Sequence, residues 1–142
     1  MLRKALAFLP VAALSALLLT PICGALHRCG CRAPWAGGLS YCNIHAPSGP
    51  HCPWCEHHAL GAVATAVVFG GQLAVFALVS GRASVLAAAA AALAALPLLS
   101  VAGGAVAWLP TDYPHFLAEN ARSRLGLPAG PIACHGGLPH AH

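Results

Sequence analysis

Charge disappears from this chain in three long runs. No charged residue occurs from Ala5 to Leu26, from Ala59 to Gly81, or from Ala83 to Thr111. At 1.5 Å per helical residue, each run can cross the roughly 30 Å of hydrocarbon in a bilayer. Only Ser80-Gly81-Arg82-Ala83-Ser84 separates the second run from the third. Those two are therefore predicted to form a tight antiparallel hairpin, the third run being interrupted by Pro97 and Gly103-Gly104. The fold class this implies is an all-α membrane protein with about three transmembrane helices.

The first run has two readings. Arg3 and Lys4 ahead of an apolar stretch, with Cys23-Gly24-Ala25 as a poor cleavage site, resemble a secretory signal. The preferred reading is a retained helix, because the uncharged run is longer than a signal's apolar core and Pro10 is tolerable inside a membrane helix. Thr20-Pro21 is expected to break the run. Both readings put the segment after Leu26 on the same side of the membrane.

Small residues recur every fourth position in the hairpin. Ala62, Ala66, Gly70 and Ala74 mark one face of its first helix, and Ala83, Ala87, Ala91 and Ala95 one face of its second. Such stripes let membrane helices approach closely, although alanine is abundant enough here to produce them by chance. Gln72 is the strongly polar side chain inside these runs, and a hydrogen bond between helices worth about 1 kcal/mol is its expected role.

The runs divide the chain into four parts. Residues 1–26 are a signal-anchor or first transmembrane helix, 27–58 a Cys/His-rich loop, 59–109 the helical hairpin and 110–142 a polar tail. In the tail, His115 to Leu125 has one apolar and one polar edge and is predicted to form a short amphipathic helix on the membrane surface. Beyond it lie Cys134-His135, His140 and His142. Three spans bring loop and tail to one face of the membrane. The tail is thus able to share a site with the loop.

Composition agrees with this division. The chain has 142 residues, 58% hydrophobic and 7% charged, where a soluble domain carries about 25% charged. Its seven basic residues are scattered rather than gathered into a stripe, which argues against nucleic-acid binding. Arg3 and Lys4 at the first span favour a cytoplasmic N-terminus, which puts loop and tail on the extracytoplasmic side of the cell (inner) membrane. Arg28, Arg32, Arg122 and Arg124 oppose that assignment by simple counting. Trp35, Tyr41, Trp54, Trp108 and Tyr113 all fall on the loop-and-tail side.

The chemistry is concentrated in the loop. Cys29, Cys31, Cys42, Cys52 and Cys55 are five of the chain's seven cysteines, and His27, His45, His51, His57 and His58 are five of its nine histidines. Cys42-x-x-His45 and Cys52-x-x-Cys55 have the two-residue spacing that lets both members of a pair reach one ion, and Cys29-Gly-Cys31 is a third pair. The candidate metal ligands are Cys29, Cys31, Cys42, His45, Cys52, Cys55, His57 and His58. One partition puts Cys29, Cys31, Cys52 and Cys55 around one ion and His45, His57 and His58, with Cys42, around another. Thiolate sets of this size suit zinc or copper. Cys23, at the end of the first helix, reads as a buried thiol acting as a small hydrophobe.

Two alternatives stand beside metal. Several cysteines in a secreted loop form disulfides, and Cys52-Pro53-Trp54-Cys55 has the form of a thiol–disulfide exchange motif. Covalent haem attachment is excluded because Glu56, not histidine, follows Cys55. Glu56 is the loop's lone carboxylate, so paired-carboxylate catalysis is excluded too, and no catalytic residue is assigned. The expected role is soft-metal handling, or that of an accessory subunit in a membrane complex. Three thin, small-residue helices make a poor core alone, so the bilayer and a membrane-protein partner or homo-oligomer are the expected contacts.

Overall fold

A computed structural model describes residues 2–48, 51–111 and 113. Four α-helices follow in chain order: α1 (Leu2–His27), the single turn α2 (Pro53–Glu56), α3 (His58–Ser80) and α4 (Val85–Trp108). Three short 3-10 turns lie between α1 and α2, and no strand occurs among the described residues. Within α1, α3 and α4, the segments Leu6–His27, His58–Ser80 and Val85–Ala107 are long and apolar enough to span a membrane. The chain is an all-α protein with three membrane-spanning-capable helices and an irregular cysteine-rich loop.

Helix α1 does not stop at Thr20-Pro21. It runs through both Pro10 and Pro21 to His27. A proline removes one amide donor, and in a membrane helix neighbouring groups make good that loss. Arg28, with φ of 49°, then turns the backbone into the left-handed region and ends the helix.

Helices α3 and α4 form the predicted hairpin across Gly81–Ser84. Ser84 caps α4 by accepting the Ala87 amide at 3.2 Å. The buried stripes are not the ones the small residues suggest. On α3, Ala64, Val68, Gln72 and Phe76 face inward; on α4, Ala88, Ala92, Leu96 and Ser100 do. Ala62, Ala66, Gly70 and Ala74 are exposed, two positions out of phase. Gln72 sets the phase. Its Nε2 donates to Ser15 Oγ of α1 at 2.8 Å and to the Ala92 carbonyl of α4 at 3.0 Å, which ties the three helices together. A buried amide in hydrocarbon must find partners, whereas alanine faces water, lipid or helix at little cost.

Helix α1 lies mainly against α4. Near the hairpin turn, Val11, Phe76, Ala88 and Ala92 form an apolar core, with Phe8 against Phe76 at 5.5 Å between ring centres. Leu9, Leu73, Leu78, Leu86 and Leu98 point outward, an apolar surface that suits lipid. At the other end the bundle carries the cysteine loop. The amphipathic helix anticipated over residues 115–125 and the cysteine and histidines beyond it lie outside the described residues.

Candidate metal centre

Six cysteines meet where α1 ends and α3 begins. Cys23, Cys29, Cys31, Cys42 and Cys52 are buried, Cys55 is half-buried, and all six are free thiols. Five come from the loop and one, Cys23, from the last turns of α1.

Local chemistry explains how the loop reaches this arrangement. Gly30 adopts φ of 89°, which a side chain resists, and a Cβ there would collide with the Tyr41 carbonyl. Cys29 and Cys31 can therefore sit on a backbone pressed against the 3-10 turns. Gly24 does the same for α1, since a Cβ would meet the Cys31 carbonyl. Pro53 starts the single turn α2, and the amides of Cys55 and Glu56 both donate to the Cys52 carbonyl at 2.9 Å. That turn brings the two thiols of Cys52-Pro-Trp-Cys55 to one side.

Asn43 fastens the parts together. Its amide donates to the Cys29 carbonyl at 2.7 Å, its Oδ1 accepts the Cys52 amide at 2.9 Å, and its Nδ2 donates to Tyr113 Oη at 2.7 Å. Tyr113 in turn donates to the His27 carbonyl at 3.0 Å, so the chain beyond α4 is stitched to the end of α1. The His27 ring lies edge-on to Trp54 and to Tyr113, at 5.5 and 5.8 Å. Trp54 packs against the thiols, while Trp35 is 76% exposed.

The sulfurs are close but unbridged. Cys23 Sγ lies 3.8 Å from Cys29 Sγ and 3.7 Å from Cys52 Sγ, and Cys42 Sγ lies 3.5 Å from Cys55 Sγ. Two groups have all their sulfurs within 4.8 Å of one another: Cys23 with Cys29 and Cys31, and Cys31 with Cys42 and Cys55. Either group is able to hold a metal ion, and Cys31 belongs to both.

Crowding splits the acidities. Hydrogen bonds donated by Cys23, then Cys31, hold Cys29 and Cys55 down at about 4. Cys42 is also held low, by donors beginning with Cys29 and Cys31. Cys31 and Cys52 move the other way. Cys23 donates to each, but their own donation to Cys29, Cys42 and Cys55, together with burial, outweighs it and keeps them protonated. The thiolate is the form that binds metal.

All five cysteines expected from the sequence enter this pocket. The histidines do not. His45, His57 and His58 are exposed, and no group that could hold an ion among the described residues includes a histidine. Glu56 instead draws histidines outward, lying 3.4 Å from His51 and 4.0 Å from His57. The sequence reading missed Cys23, Asn43 and Tyr113. Cys23 sits near the helix end, six residues before Cys29, and that proximity was the available signal. Neither protein-family models, curated proteins nor solved structures give a match to this chain.

Proposed function

We propose that this chain is a small multi-pass membrane protein that binds a soft metal, copper or zinc, in a thiolate pocket at the extracytoplasmic end of its helices. Its role is to hold or hand over that metal, or to serve as an accessory subunit whose loop the metal stiffens. The observation that carries the reading is the spacing of unbridged, buried and half-buried sulfurs at 3.5–3.8 Å. Two thiolates on one tetrahedral zinc, with bonds of about 2.3 Å, lie about 3.8 Å apart, whereas disulfide sulfurs lie about 2.05 Å apart. Arg3 and Lys4 in the first turn of α1 support the extracytoplasmic placement.

Thiol–disulfide exchange is the second reading. Cys42 and Cys55 favour it, being 3.5 Å apart with Cys55 half-buried. The deciding experiment is anaerobic purification of the full chain in detergent, with metal analysis and thiol counting before and after chelation. Bound zinc or copper, with thiols that become reactive only after chelation, is expected. A metal-free protein with Cys42 and Cys55 bridged overturns the metal reading. On intact cells, an impermeant thiol reagent labels the metal-stripped, reduced protein if the loop faces outward; labelling only after lysis reverses the orientation.

A further inference from the structure

The thiols of the pocket fall into two sets rather than one. Cys23, Cys29 and Cys31 have every sulfur within 4.8 Å of the others, as do Cys31, Cys42 and Cys55, and the sets share a single atom, Cys31 Sγ. Cys52 belongs to neither, although its sulfur lies 3.7 Å from that of Cys23. The sets differ in depth. Cys23, Cys29 and Cys31 are all buried, and Cys23 comes from α1. The second set contains Cys55, the half-buried member of the six.

Each set suits an ion with three sulfur ligands. Three sulfurs about 2.3 Å from an ion in their plane lie about 4.0 Å apart, which agrees with sulfurs all within 4.8 Å of one another. A linear ion would hold two sulfurs about 4.6 Å apart. That is farther than the 3.8 Å between Cys23 and Cys29 or the 3.5 Å between Cys42 and Cys55. Structural zinc takes four ligands, and among the described residues neither set has a fourth cysteine, histidine or carboxylate at the same range. Cuprous copper is selected by thiolates and accepts three of them. A thiolate that binds one ion keeps further lone pairs, so Cys31 is able to bind a second.

We infer that the pocket holds two cuprous ions, an inner one on Cys23, Cys29 and Cys31 and an outer one on Cys31, Cys42 and Cys55, with the Cys31 thiolate bridging them. This rests on the soft-metal reading above and adds the number of ions, their ligands and their order of exchange. From protonated thiols, two Cu(I) displace five protons, and two monovalent ions with five thiolates leave a charge of 2 − 5 = −3. Arg28 and Arg32, next to Cys29 and Cys31 in sequence, offset part of it. Copper enters and stays cuprous, so no oxidant or reductant is needed. The outer ion is reached past the half-buried Cys55 and exchanges first. An ion moves inward by pivoting on Cys31, without leaving sulfur, which gives the hand-over a direction.

The test is an anaerobic titration of the full chain in detergent with cuprous ion supplied as its acetonitrile complex, followed by copper X-ray absorption. Saturation at two Cu(I) per chain is expected, with three sulfurs per copper. Two ions on one sulfur lie no farther apart than two bond lengths, so a copper–copper vector within about 4.6 Å is expected too. A cuprous chelator should withdraw the copper in two phases of equal size. Variants whose helical circular dichroism matches the parent then assign the phases. C42S should keep one ion, the slow one, and C29S one ion, the fast one. C31S should keep neither, and a C134S control should keep both. Saturation at one ion, the lack of a copper–copper vector, withdrawal in one phase, or a C31S protein that keeps one ion like the others overturns the bridged pair and leaves soft-metal binding standing. Binding of zinc but not of cuprous ion does the same. Failure to bind either metal overturns both readings.

Discussion

Where the hairpin turns, Phe8, Val11, Phe76, Ala88 and Ala92 pack by shape alone, and many apolar sets of the same volume would serve. At the opposite end, the interior is made of sulfur, one asparagine, one tyrosine and glycines pressed against carbonyls. There Asn43 and Tyr113 join α1, the cysteine loop and the chain beyond α4 by hydrogen bonds between named atoms. The apolar end asks only for hydrophobicity in the right phase. The thiol end asks for particular residues at particular places, which is the usual cost of a polar site in a dry environment. Substitutions should therefore separate the two ends cleanly.

The largest effect is expected at Gly24. In Gly24→Val the new Cβ meets the Cys31 carbonyl, backbone against backbone, with no flexible group to yield. The loop cannot then close on α1. All six thiols should become reactive to a bulky maleimide in the metal-free protein, and bound metal should fall to background. Membrane insertion, read by resistance to carbonate extraction, should persist, because valine keeps α1 apolar and α3 and α4 are unchanged. If the thiols of the variant stay protected, the packing of α1 on the loop is not what closes the pocket.

Asn43→Ala comes next. It strands the buried Cys52 amide, whose acceptor lies at 2.9 Å, and takes from the Tyr113 hydroxyl the donor at 2.7 Å, leaving that hydroxyl bonded to the His27 carbonyl. A loss of about 3 kcal/mol is expected from unsatisfied buried groups of this kind. Metal-free protein should show faster hydrogen exchange at Cys29, Asn43 and Cys52, with α3 and α4 unchanged. Metal should partly rescue it, since binding to the folded state adds stability by mass action.

The helix faces give a third, smaller test. Ala64 is fully buried and Ala62 is exposed, although the stripe of small residues predicts the opposite. Overpacking at a buried site costs about 1–3 kcal/mol, so Ala64→Leu should lower thermal stability in detergent while Ala62→Leu leaves it unchanged. Equal effects would show that α3 rotates in the membrane.

That pair of alanines also marks what the sequence could and could not reveal. The spans and the hairpin were legible because charge is absent over long stretches, and only helices satisfy their own backbone in lipid. Facing was not, because alanine at every phase carries no moment; Gln72 alone held the information. Pro21 misled in the same way, since a proline that breaks a soluble helix is absorbed by a membrane one. In the loop, the five cysteines were legible from spacing. A Cys-x-x-His pair fixes distance along the chain but not the direction each side chain takes, and His45, His57 and His58 are exposed. Cys23 was assigned to the apolar run it occupies, and only the turn at Arg28 shows that α1 ends with that thiol facing the loop.

The smallest change to try is a single proton. Cys55 is the half-buried member of the six, and its thiol is held at about 4 by donors beginning with Cys23. A depressed value favours the folded protein fully above the ordinary 9.0, and that contribution declines as pH falls toward about 4. In the metal-free protein, the rate of alkylating Cys55 with iodoacetamide should accordingly stay flat across the neutral range. It should drop only as pH approaches that low value. An exposed thiol instead loses reactivity tenfold per unit below its pKa, because only the thiolate reacts. Cys31→Ala removes one donor and should move the falling limb to higher pH. A Cys55 rate that climbs steadily up to pH 9 would mean the sulfurs do not share protons as their geometry implies, and the contrast between the two ends would rest on packing alone.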